Sequence, residues 1–101
     1  MVAAELERAV GKPMAKRKRR RASIKLRAIR KQRGLTLREV QARSQAIAKE
    51  LKRHEFVVPS SRLHDFEVQG VVPSIFRIYT LARVYRTKVS TILSWYGIPE
   101  L

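Results

Sequence analysis

Apolar residues along this chain recur mainly at helical intervals, and breaks in that recurrence divide it into five segments. Ile24, Leu26 and Ile29 follow Ser23, a capping residue, and lead to Gly34, which suits the left-handed close of a helix. Thr36-Leu37-Arg38-Glu39 is a capping box, in which the hydroxyl and the carboxylate satisfy each other's orphan backbone N–H groups. Leu37, Val40, Ser44, Ile47 and Leu51 then mark one face of a second helix. It is predicted to run to about Arg53, since no Gly or Pro intervenes before Pro59. A short third helix is predicted from Ser60 or Ser61 to about Val68, burying Leu63 and Phe66 and stopped by Gln69-Gly70. Pro73-Ser74 opens a fourth, with Ile75, Ile78, Tyr79, Ala82 and Tyr85 expected inward. Ser90 or Thr91 caps a fifth that holds Ile92, Leu93, Trp95 and Tyr96. Phe56-Val57-Val58 and Val71-Val72 are too short to found a sheet, so the class is all-α with five helices.

Residues 1–22 do not share this pattern. They carry eight basic and two acidic residues, including the run Lys16-Arg17-Lys18-Arg19-Arg20-Arg21, which repels itself and has nothing to bury. The reading is a disordered basic arm over 1–22, with a frayed helical turn over Ala3–Val10, in front of a domain spanning 23–101.

Charge adds more than composition does. The 101 residues suffice for one compact domain. Lys and Arg number 23 against 8 Asp and Glu, a net charge of +15 that draws polyanions, whether nucleic acid or an anionic membrane surface. A surface built only for solubility would mix both signs. The absence of cysteine excludes disulfides, thiolate metal sites and thiol nucleophiles. No apolar run approaches the ~18 residues of a membrane span. Met1–Val10, with Glu5 and Glu7, is too short and polar for a secretory signal. A cytoplasmic, nucleoid-associated protein is expected. His54 and His64 are the only histidines and lack i,i+4 spacing, and neither a glycine-rich phosphate loop nor a nucleophile–base set is present. No enzyme activity, no cofactor and no metal site is therefore expected.

Three stretches resemble a known family in register. Leu26-Arg27-Ala28-Ile29-Arg30-Lys31-Gln32-Arg33-Gly34-Leu35-Thr36 is similar to the first helix and turn of the phage-repressor and Cro-like helix-turn-helix proteins, the Xre family. Ser61-Arg62-Leu63-His64-Asp65-Phe66-Glu67 resembles their recognition helix, and Pro73-Ser74, Leu81-Ala82 and Val89-Ser90 follow in the order of the last two helices. The chain departs from the family at Leu37, where a Gln is usual, and at Gln41, where a small residue is usual. It also inserts about a dozen residues, 45–57, between the second helix and the third. Lengthening a surface connection costs only about 0.6 kcal/mol per doubling, so the fold can carry the insertion.

The resemblance implies a five-helix lambda-repressor-like domain that binds double-stranded DNA as a transcriptional regulator, with the third helix in the major groove. Ser60, Ser61, Arg62 and Asp65 would then face base edges, Arg62 on guanine and Asp65 on cytosine. A bland alternative for Asp65 is an i,i+3 pair with Arg62, and for Glu67 a bond inside the domain. Phosphates would meet the Thr36 helix start with Arg38 beside it, and Lys16, Arg17, Lys18, Arg19, Arg20 and Arg21 of the arm would lie along phosphates or enter the minor groove. Phe66, Phe76, Tyr79 and Tyr85 lie at core spacing, which argues against a single-strand binder. Trp95, Tyr96, Ile98 and Leu101 gather where a homodimer contact is expected, a folded-back tail being the alternative. A second functional reading is a protein-interaction module, an antitoxin or adaptor, whose partner docks on the extended second helix and the 45–57 insertion.

Overall fold

In the computed structural model, which describes residues 16–99, the first helix α1 runs Lys16–Gln32 and so takes in the basic run. This differs from the arm expected over 1–22: Lys16–Ala22 are helical, while residues 1–15 lie outside the described residues. Lys and Arg are good helix formers, and a buried face does the rest. Ala22, Ser23 and Leu26 are buried in the middle of α1, so Ser23 is a packed residue and not a cap. Ile24 is exposed. Gly34, at φ 70°, closes the helix as the sequence implies, with Leu35 N–H donating to Arg30 O at 3.2 Å.

The second helix, α2, runs Leu37–Leu51 and begins with the complete capping box. Glu39 N–H donates to Thr36 Oγ1 at 3.1 Å, and Thr36 N–H donates to Glu39 Oε1 at 3.0 Å. Its inward face is Val40, Ser44, Ile47 and Ala48. Lys52, left-handed at φ 56°, ends it, and a 3-10 turn over His54–Phe56 follows. The third helix, α3, runs Ser60–Val68 and buries Leu63, Phe66 and Glu67.

The 45–57 insertion returns to the point it left. Ser44 Oγ, fully buried, accepts the Val58 N–H at 2.9 Å and donates to Gln41 O at 2.6 Å. One hydroxyl thus closes an excursion of 14 residues. The excursion packs on the fourth helix, α4, which runs Ile75–Tyr85 from a Ser74 cap. Phe56 meets Phe76 and Tyr79 edge-on at 5.3 and 5.5 Å, and Thr80 Oγ1 donates to Phe56 O at 2.7 Å. Arg77 Nε donates to Val57 O at 3.0 Å, and Arg83 pairs with Glu50 at 2.7 Å. The buried face of α4 differs from the expected one. Ile78, Leu81, Ala82, Val84 and Tyr85 are buried, whereas Ile75 and Tyr79, both expected inward, are exposed.

The last helix, α5, runs Val89–Trp95, starting slightly before the expected Ser90 or Thr91 cap, and packs on α1 and α4. One core joins all five helices through Leu26, Val40, Leu63, Leu81, Tyr85 and Ile92. No strand occurs among the described residues.

Candidate nucleic-acid interface

The third helix has an inner and an outer side. Leu63 and Phe66 anchor the inner side, and Glu67 ties it to α1. Arg30 Nε and Nη2 reach the two Glu67 carboxylate oxygens at 2.7 and 2.9 Å, while Arg30 Nη1 donates to Leu35 O at 2.9 Å. The side chains are 12% and 3% exposed, so this is a buried, bidentate pair. Donation to the Glu67 carboxylate holds the Arg30 guanidinium above its ordinary pKa. The in-domain role expected of Glu67 is therefore the one it has.

At the other end, Ser60 N–H donates to Gln41 Oε1 at 2.6 Å. Gln41 stands out in sequence only as an unusual residue in the second helix; it sets where α3 begins. On the outer side Ser61, Arg62 and His64 are exposed, and Ser60 and Asp65 are half-buried. Arg62 and His64 each lie 3.8 Å from Asp65. The Arg62–Asp65 pair matches the i,i+3 alternative.

Thr36 and Arg38 lie at the start of α2, in an open cleft of about 680 Å³ shared with Arg27, Lys31 and the Gly34–Leu35 turn. The capping box uses the N–H groups of Thr36 and Glu39, and Val40 N–H donates to Thr36 O at 3.1 Å. The orphan amides of this end are then those of Leu37 and Arg38. Hydrogen bonds from the Thr36 backbone and hydroxyl keep the Glu39 carboxyl below the usual range, so it opposes an anion that Arg38, Arg27 and Lys31 attract. Sequence reasoning passed over Arg27 and Lys31. Their i,i+4 spacing on one helix face, directly before Gly34, was the available signal.

The run Lys16–Arg21 lies beside the far end of α3. A cleft of about 700 Å³ is lined by Lys16, Arg17, Arg19 and Arg20 on one side and by Glu67–Gly70 on the other, with Ser23 and Ile24 between. A nine-residue helix, about 13 Å long, separates these cations from Ser60 and Ser61. The structure therefore does not bring the two predicted groups into one cluster.

Every acidic residue among the described ones is engaged inside the protein. Glu39 is in the capping box, Glu50 on Arg83, Glu55 on Arg53, Asp65 by Arg62 and His64, and Glu67 on Arg30. By contrast, the 17 residues of α1 include ten Lys and Arg and no acid.

The C-terminal apolar group is mostly used within the chain. Tyr96 is buried, its phenol pushed above the ordinary range by burial, and Trp95 packs against the core with Lys25 over its ring at 5.9 Å. Ile98 remains exposed, and Leu101 lies outside the described residues. Tyr96 is thus unavailable to the dimer contact expected of it. Among the described residues, no three His, Cys, Asp or Glu are grouped to hold a metal ion, and no helix is long and apolar enough to cross a membrane. No family model, no curated protein and no solved structure matches the chain.

Proposed function

We propose that this protein is a sequence-specific double-stranded DNA-binding protein of helix-turn-helix type, acting as a transcriptional regulator. The observation that carries the reading is the distribution of charge. Ten cations lie on α1 with no acid among them, while four of the five acids of the described residues pair with cations within the fold and the fifth, Glu39, closes the α2 capping box. A field of one sign over a folded helix attracts a polyanion without regard to sequence.

Sequence readout falls to α3, whose Ser61 and Arg62 project outward from a helix locked at both ends. Phosphate contacts fall to α1 and to the Arg27, Lys31 and Arg38 group at the α1–α2 turn. The rival protein-interaction reading is weakened by the 45–57 segment, which spends its aromatic side chain and two carbonyls on α4.

Selection of bound sites from a random duplex pool tests the proposal. An enriched consensus is expected, and on that site Arg62→Ala should cost about 1–3 kcal/mol, with less loss on random duplex. Binding without any enrichment would leave only non-specific affinity and remove the regulator.

A further inference from the structure

The cleft between α1 and α3 changes its chemistry from rim to foot. Lys16, Arg17, Arg19 and Arg20 line it from α1, and none has an acidic side chain within ion-pair distance among the described residues. Ile24 and Val68 add apolar surface from the two helices, at 61% and 59% exposure. Ser23 and Glu67 are the buried residues of the lining and form its foot. Glu67 is held there by Arg30, whereas the Ser23 hydroxyl, in a residue 3% exposed, has no hydrogen-bond partner among the described residues. A buried polar atom left unpaired costs about 1–3 kcal/mol, so this hydroxyl works against the stability of the fold.

Charge alone does not use such an arrangement. Inorganic phosphate would satisfy the rim and leave Ile24 and Val68 in water. A fatty carboxylate would cover the aliphatic side chains, but its single charge answers one of four cations, and two side chains cannot bury a long tail. The matching ligand carries several negative charges at one end and a flat, partly apolar ring with hydrogen-bonding edges at the other. The rise along α1 from Lys16 to Ser23 is about 10 Å, which leaves room for a sugar and phosphates between ring and rim. The cleft volume of about 700 Å³ lies within the range of about 300–1,000 Å³ usual for small-molecule sites.

We propose that the α1–α3 cleft binds a nucleoside di- or triphosphate. Its phosphates lie on the four α1 cations, its base covers Ile24 and Val68, and the Ser23 hydroxyl bonds to the edge of the base. The binding itself does not depend on the nucleic-acid reading. Its consequence, competition with duplex for the α1 cations, rests on that reading.

Calorimetry on the full chain, without duplex, tests the site with ATP, GTP, CTP, UTP and sodium tripolyphosphate at about 0.15 M salt. Tripolyphosphate is at least as highly charged as the nucleotides, so charge alone would make it bind as tightly. At least one nucleotide should instead bind about tenfold tighter, through the apolar surface its base covers. Ile24 and Val68 are exposed, so Ile24→Ser with Val68→Ser should keep the fold and bring that nucleotide down to the tripolyphosphate level. Ser23→Ala removes an unpaired polar atom, so its urea midpoint should stay level or rise while nucleotide affinity falls about threefold or more. Equal affinities for tripolyphosphate and all four nucleotides would overturn the proposal. So would a nucleotide preference that survives the Ile24→Ser, Val68→Ser change, or a Ser23→Ala chain of unchanged affinity.

Discussion

In the C-terminal part of α1, Arg30 is buried on Glu67, and just past its end Arg33 donates to the Tyr85 carbonyl at 2.7 Å. In the N-terminal half, six consecutive cations have no acidic side chain within ion-pair distance among the described residues. The residue types are the same. What separates them is whether the fold places an acceptor inside hydrogen-bond reach, and the difference divides structural charge from charge left for a partner.

The contrast breaks most directly at Glu67. Glu67→Ala leaves the half-buried Arg30 guanidinium with the Leu35 carbonyl as its remaining partner, and about 1–3 kcal/mol of stability should be lost in urea unfolding. Arg20→Ala, in the outer half, should change stability by no more than about 0.5 kcal/mol. Similar losses for the two variants would erase the distinction between the halves.

A neutral tie sharpens it. The start of α3 and Val58 before it are held without charge, through Gln41 and the Ser44 hydroxyl. Ser44→Ala strands the buried Val58 N–H and should cost about 1–3 kcal/mol, with no dependence on salt. A salt-dependent loss would mean that the 45–57 excursion is held by its ion pairs instead.

The smallest effect is one of pH. The carboxyls of Glu39, Glu50 and Glu55 all lie below the ordinary range, drawn down by Thr36, Arg83 and Arg53 respectively. Groups depressed in the folded state add stability above the unfolded carboxylate pKa, about 4.3, and lose it as pH falls through the folded values. Thermal midpoints should therefore be level near neutrality and drop below about pH 4. Glu39→Gln should make the acid drop shallower. An unchanged drop would show that these carboxyls do not set it.

Local signals were the legible part of this fold. The Thr36–Glu39 box, Gly34, Pro59 before α3 and the Ser74 cap each act within a few residues, and each is found where the sequence puts it. Long-range placement was not legible. The run at Lys16–Arg21 reads as self-repelling, because the partners that favour its helix lie far along the chain. Gly70, for example, turns the chain after α3 at φ 70° and comes to lie against Arg19 of α1. Likewise no periodicity places Phe56 against α4, where it meets Phe76 and Tyr79. Of the candidate interface, the exposed α3 residues were legible. The half-turn grouping of Arg27, Lys31 and Arg38 needed the angle between α1 and α2.

The division of labour within α1 is the central claim, and the salt dependence of duplex binding tests it most directly. Arg17, Arg20 and Arg21 are exposed and distant from the core ties, so replacing all three with Ala should leave the fold intact. The slope of log affinity against log salt should then fall by about 0.9 for each phosphate contact removed, with the preference for a selected site over random duplex preserved. An unchanged slope, or a lost preference at constant slope, would contradict the account.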